Sequence, residues 1–186
     1  MGVDEAGRGP LAGPVAVGAV LAPEGLNLLS EFPGLNDSKK LSEAVRERLF
    51  ALLCAHPEVL YRVSFARAGT IDRQGIVRAV RTGVYRSVRA LASSDETGKV
   101  WLDGSLAAPS GYEQETVVGG DGLVPAIMLA SVAAKVMRDR HMERLAKRYP
   151  GYGFEQHKGY GTQAHRDAIA MLGPCFEHRR TFGELK

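Results

Sequence analysis

Asp4 and Glu5 sit side by side in GVDEAGRGPLAGPV, and Gly7-Arg8-Gly9 follows at once. Two more acids close short apolar runs: Asp103 ends VWLDG and Asp121 ends ETVVGGD. Four carboxylates gathered in one place repel and raise one another's pKa values. Hard divalent cations would hold them. Mg²⁺ takes one or two carboxylates and leaves room for waters and substrate phosphates. Two such ions about 3.5–4 Å apart form the clamp used for in-line phosphoryl displacement. Asp139 competes for the fourth position, but it stands four residues after Lys135 in a helical stretch, where an ordinary ion pair explains it. Asp121 is preferred. A glycosidase would also use two carboxylates, but the basic balance and an aromatic content of 7% argue against a sugar site.

The loops suit a phosphate-bearing ligand. Gly7, Arg8 and Gly9 offer backbone N–H groups that can approach another backbone closely. NDSKK places Lys39 and Lys40 ahead of a helix start, where cations and free N–H groups meet phosphates. HKGYGT supplies Lys158 and Tyr160, and the tyrosine ring could stack on a sugar or base. His157 is read as a structural hydrogen-bonder rather than a base.

These residues need elements to hold them. GVDEA reads as a short strand, and a second strand covers about 13–22. Because side chains alternate along a strand, Asp4 and Glu5 are expected to share a site only if the chain leaves the strand between them. Ser42 caps a helix running to about Ala55, which His56-Pro57 ends. EVLYRVSFARA is a strand. Asp72 is placed as the cap of a helix reaching about Ala92, whose arginines (Arg73, Arg78, Arg81, Arg86, Arg89) form a solvated face. The runs ending in Asp103 and Asp121 are strands, so three strands carry acids at their carboxyl ends, where sites gather in open α/β sheets. A long helix follows over about 124–147. Its start, AIMLASVAAKV, is apolar on nearly all sides and should be buried against the sheet. TQAHRDAIAMLG is a last helix before a tail. The order gives an α/β fold with a mixed sheet.

With 186 residues, 45% hydrophobic and 24% charged, the chain reads as one globular domain with ordinary composition. A formal charge of +3 leans mildly toward polyanions. No apolar run approaches a membrane span and no signal peptide is visible. Cys54 and Cys175 lack metal-motif spacing and are read as reduced thiols, which fits a cytoplasmic protein.

Taken together, GVDEAGRGPLAGPV, LNDSKKLS, WLDG, GGD followed by ASVAAKVMRDR, YGFEQHKGYGT and HRRTF resemble type 2 ribonuclease H, specifically bacterial ribonuclease HII, from Gly2 to about Phe182. The resemblance implies a ribonuclease H-like fold: a five-stranded mixed sheet flanked by helices, with a C-terminal helical extension. The catalytic core would cover 1–147, with the loop and helical extension of 148–186 packed on the same domain. It implies a monomeric endonuclease dependent on Mg²⁺ or Mn²⁺. The enzyme would cut the RNA strand of RNA–DNA hybrids and the 5′ side of single ribonucleotides in duplex DNA, leaving 3′-hydroxyl and 5′-phosphate ends. Asp4, Glu5, Asp103 and Asp121 match the family's catalytic, metal-holding acids. Gly7, Arg8 and Gly9 match its junction-sensing motif, and Tyr160 its junction tyrosine. Arg8 stands where the sister type, ribonuclease HIII, usually has lysine. Only Met1, Gly2 and Val3 precede Asp4, a shorter lead-in than the family usually has, which predicts weakened pairing of the first strand. A clamp-binding peptide is not evident in the final FGELK.

Overall fold

The computed structural model describes residues 1–96 and 98–183. Thr97 of the SSDETGK loop and the last three residues of FGELK lie outside them. Five strands form one mixed sheet: β1 (Gly2–Ala6), β2 (Val15–Leu21), β3 (Leu60–Ala66), β4 (Val100–Asp103) and β5 (Gln114–Val117), in the order β3-β2-β1-β4-β5. β1, β2 and β3 pair antiparallel, while β1–β4 and β4–β5 are parallel. This is the ribonuclease H-like arrangement expected. β1 is central, so both acids of its sequence sit in the middle of the molecule. Its pairing is not weakened at the start. Gly2 is in register with both Val20 and Trp101, and the Met1 carbonyl accepts from Trp101 N at 2.8 Å.

The helices are α1 (Leu28–Glu31), α2 (Glu43–Ala55), α3 (Ala68–Gln74), α4 (Ile76–Arg89), α5 (Pro125–Arg148), α6 (Phe154–His157) and α7 (Gln163–Leu172). α2 begins and ends where the sequence predicts, with Ser42 Oγ accepting from Val45 N. α5 starts with Pro125, whose missing N–H costs nothing at a helix start. Its apolar opening packs with α2 on one sheet face, around Val20, Leu49, Leu53, Leu129, Val132 and Val136. The small residues allow a close approach: a Cβ on Gly18 of β2 would lie 2.3 Å from the Ala130 carbonyl oxygen. α4 covers the other face, with Val80, Val84 and Val88 against Val3, Val17 and Leu102. A third cluster of Ala12, Met142, Leu145, Tyr152 and Phe154 ties the segment after Arg148 to α5.

Asp72 does not cap a helix. It lies inside α3, and the helix expected to reach Ala92 is broken at Gly75. The Asp72 carboxylate instead accepts from the N–H groups of Arg180 and Thr181, each at 3.0 Å, and from Thr181 Oγ1 at 2.8 Å. It fastens the tail to α3. Among the described residues no helix is long and apolar enough to cross a membrane. Cys54 and Cys175 are free thiols.

Candidate active site

Asp4 and Glu5 both remain within β1, in register with Gly18 and Val17 of β2. The expectation that the chain must leave the strand between them is therefore wrong. The pairing of β1 with β4 stops at Val3↔Leu102. Beyond it β1 has no paired residue on β4, which ends at Asp103, and both acids border the same opening. The resulting cleft, about 270 Å³, is lined by Asp4, Glu5, Asp103, the Gly7–Gly9 loop, Lys39 and Tyr160, with Ser38, Ser131 and Lys135 at its floor and wall. Asp103 ends β4 as predicted. Asp121 does not end β5. Gly119 and Gly120 stop the strand, and Asp121 sits four residues past Val117 in a single 3₁₀ turn, Gly120–Gly122. Asp121 does not itself line the cleft; it stands beside it, its N–H donating to Asp103 Oδ1 over a long 3.4 Å.

Asp4 is 5% exposed and Asp121 6%. Burial pushes the Asp4 carboxyl up to about 7; a hydrogen bond from Ser131 opposes the rise, while Glu5 and Asp103 add to it. Burial also raises Glu5, against the pull of Arg8, whose Nη1 donates to Glu5 Oε1 at 3.3 Å. Lys39 Nζ lies 2.6 Å from Asp121 Oδ2, and that bond raises the lysine's own pKa. Ser131 holds Ser38 at 2.7 Å, Oγ to Oγ, fixing the lysine loop against α5. Asp139 pairs with Lys135 at 2.9 Å, as its spacing predicts; like Asp121 it does not line the cleft, but only Asp121 contacts Asp103 and Lys39, which do.

The other expected residues divide. Tyr160 faces the cleft, 44% exposed, with the Arg138 guanidinium 5.7 Å from its ring centroid. Lys158 is held elsewhere: its ammonium is 2.8 Å from Glu143, and it does not line the cleft. His157 is a structural hydrogen-bonder, accepting from Gly159 N at Nδ1 and placing Nε2 2.7 Å from the Tyr152 carbonyl. Sequence reasoning missed Ser38, Ser131, Lys135, Arg138 and Arg179. A serine and a lysine four apart inside the apolar AIMLASVAAKV were the available signal, because such a pair marks one polar stripe on an otherwise buried helix.

Among the described residues no three carboxylates, histidines or cysteines converge into a ready-made ion cage. The donors nonetheless fit a Mg²⁺ or Mn²⁺ ion. They are hard oxygens, Asp4 lies buried beside Glu5 and Asp103, and such ions need only one or two carboxylates when waters and phosphates complete the shell. Asp4, Glu5, Asp103 and Asp121 would be the ligands.

The family model for ribonuclease HII matches residues 1–184. Ribonuclease HII of Rhodopseudomonas palustris (strain TIE-1) is 48% identical over 184 residues, 99% of this chain, and this chain spans 63% of that relative's length. Ribonuclease HII of Xylella fastidiosa (strain M12) is 45% identical over the whole chain, which covers 77% of it. Among solved structures, ribonuclease H2 from Pyrococcus horikoshii OT3 superposes with a TM-score of 0.77 at 27% identity, covering 99% of this chain and 93% of that one. A sheet that opens beside its central strand, acids on both sides of the gap and a full-length family match lead to one conclusion: the chain belongs to the ribonuclease HII family.

Proposed function

We propose that the chain is a monomeric, metal-dependent endoribonuclease. It cuts the RNA strand of RNA–DNA hybrids and the 5′ side of single ribonucleotides in duplex DNA. The observation that carries this reading is the cleft in which Asp4, Glu5 and Asp103 face the Gly7–Gly9 loop and Tyr160 across one small opening. A bound Mg²⁺ or Mn²⁺ pair would supply charge stabilisation for in-line displacement at phosphorus. The chain's own residues do the rest. Asp4, Glu5, Asp103 and Asp121 hold the cations. Lys39, whose side chain is 78% exposed beyond its contact with Asp121, meets a substrate phosphate, and Lys158 meets another further along the strand. The N–H groups of Gly7, Arg8 and Gly9 reach the 2′-hydroxyl, which is both donor and acceptor and separates RNA from DNA at one nucleotide. Tyr160 packs against the following deoxyribose.

Water adds to phosphorus, the bond to the 3′-oxygen of the preceding nucleotide breaks, and that oxygen takes a proton. The products are a 3′-hydroxyl and a 5′-phosphate on the ribonucleotide. The 2′-hydroxyl could attack only the phosphate on its own 3′ side, so cutting on the 5′ side leaves it no part as nucleophile. The test is cleavage of an end-labelled DNA duplex carrying one ribonucleotide, with and without Mg²⁺ or Mn²⁺, beside an all-DNA duplex. Metal-dependent cutting 5′ to the ribonucleotide supports the reading. A 2′,3′-cyclic phosphate product, or equal cutting of all-DNA, overturns it.

A further inference from the structure

Two arginines lie fully buried behind the Gly7–Gly9 loop, Arg138 from α5 and Arg179 from the tail, each 0% exposed. Buried charges are normally paired with opposite charge, yet neither forms an ion pair among the described residues. The carboxylates they feel are engaged elsewhere, Asp139 with Lys135 and Asp72 with the tail backbone. Their partners are backbone carbonyls. Arg179 donates from Nη2 to Gly7 O at 2.7 Å, from Nη1 to Arg8 O at 2.8 Å and from Nε to Gly13 O at 3.0 Å. Arg138 donates from Nε to Pro14 O at 3.0 Å and from Nη2 to Lys158 O at 2.9 Å, with Ala12 O further off at 3.5 Å. Burial, then the neighbouring Arg138, pulls Arg179 down to about 9. Arg138 Nη1 is buried without a hydrogen-bond partner among the described residues.

The geometry is tight. Gly7 has φ +88°, and a Cβ there would fall 1.9 Å from Arg138 Nε. No hydrogen bond among the described residues engages the N–H groups of Gly7, Arg8 or Gly9. The guanidinium of Arg138 also lies behind the Tyr160 ring. One pair of side chains therefore touches both halves of the rim: the glycine loop directly, and Tyr160 through its ring and through the Lys158 carbonyl.

We propose that Arg138 and Arg179 are positioning residues for substrate selection. By drawing the Gly7 and Arg8 carbonyls inward, Arg179 turns the N–H groups of Arg8 and Gly9, which share those peptide planes, outward, while Arg138 holds the Pro14 and Lys158 carbonyls behind them. The two arginines also fix the spacing between that loop and Tyr160 at which the cleft distinguishes a ribonucleotide followed by DNA from continuous RNA. This rests on the nuclease reading above.

The test is Arg179→Lys and Arg138→Lys in the full chain, since lysine keeps the charge but cannot fork across two carbonyls. The readout is the ratio of kcat/KM for a duplex with one ribonucleotide to that for a continuous RNA–DNA hybrid, in Mn²⁺. Each variant should lower the ratio about tenfold or more, as expected when reacting groups lose their alignment. Leu49→Ala, a destabilising change in the core between α2 and α5, should lower the melting temperature and leave the ratio alone. An unchanged ratio in both lysine variants, or an equal fall in Leu49→Ala, overturns the proposal. A second readout needs no activity. In Arg179→Lys the ¹⁵N order parameters of the Arg8 and Gly9 amides should drop from near the rigid value of about 0.85 to below about 0.6, and rigid amides there would also overturn it. An inactive wild-type enzyme would sink the nuclease reading, and the order parameters would still decide the clamp. If neither lysine variant folds, Gly7→Ala, whose Cβ collides with Arg138, carries the same two readouts.

Discussion

The acidic cleft and the histidine cluster behind the rim both hold buried titratable groups, and they are built in opposite ways. In the cleft, like charges crowd one another and burial leaves Asp4 near 7. In the cluster every ring nitrogen has a partner. His178 Nδ1 accepts from Cys175 N at 2.9 Å, so its proton sits on Nε2 and points at His165 Nε2, 3.1 Å away. His165 must then carry its proton on Nδ1, 2.9 Å from the Tyr160 carbonyl. His157 stacks on His165 at 4.3 Å. Neutral rings satisfy the whole chain, and burial accordingly lowers His165, and lowers His178 to about 4. The cluster spends its polar groups on holding the Tyr160 loop. The cleft pairs Glu5 with Arg8 and Asp121 with Lys39 but buries Asp4 beside other acids with no cation of its own, the pattern of a functional rather than a structural site.

The largest effect that could break this contrast is on activity. Asp4→Asn, Asp103→Asn or Asp121→Asn should cut cleavage by orders of magnitude. The metal-free melting temperature should hold or rise for Asp4→Asn, whose buried charge is relieved, whereas Asp121→Asn also gives up its ion pair with Lys39. If Asp121→Asn kept near-normal activity while Asp139→Asn lost it, the fourth ligand would be Asp139. Next comes Tyr160→Ala, which should reduce cutting at a ribonucleotide–DNA step far more than it destabilises the fold; equal losses on every substrate would make the ring mere packing.

Stability against pH sharpens the contrast further. The folded pKa of Asp4 is raised from 3.8 to about 7, so its contribution is full below about 4 and is lost as pH rises through 7. His178 is lowered from 6.5 to about 4, so its contribution is full above 6.5 and is lost as pH falls toward 4. The two oppose each other over one window. Denaturant unfolding without metal should show Asp4→Asn gaining on wild type as pH rises from 4 to 8, by a few kcal/mol at about 1.4 per pH unit of displacement. The variant alone should then weaken steadily below pH 6.5. A pH-independent difference would show that burial does not raise the Asp4 carboxyl.

The smallest effects concern salt. Lys39→Ala should weaken binding across substrates and flatten the plot of log K against log salt by about one unit. Lys158→Ala should flatten it less, since Glu143 already holds that ammonium. An equal drop would show that the Lys158–Glu143 pair opens on binding.

Much of this was legible in the chain. Periodicity and caps gave α2 and α5 within a residue or so, and Asp103 fell at a strand end, because those signals are local. What local signals left out is tertiary. Asp72 resembles a helix cap, but its partners, Arg180 and Thr181, are more than a hundred residues away. Strand alternation separates Asp4 from Glu5, and only the end of the β1–β4 pairing at Val3, a long-range feature, leaves both at one opening. Lys158 stood in a promising glycine loop whose pairing with Glu143 crosses from another element. Arg138 and Arg179 carry no local mark at all, since one lies in a charged helical run and the other in an arginine pair at the tail.

The most direct measurement compares wild type with Asp4→Asn on a labelled DNA duplex containing one ribonucleotide, with Mn²⁺ and with a chelator, and identifies the ends formed. The central claim is that a charge-starved carboxylate cluster works with a ribose-reading rim. It predicts a single cut 5′ to the ribonucleotide by wild type with metal only, leaving 3′-hydroxyl and 5′-phosphate ends, and almost none by the variant although it is at least as stable. Comparable cutting by Asp4→Asn, or cutting that persists in the chelator, would contradict it.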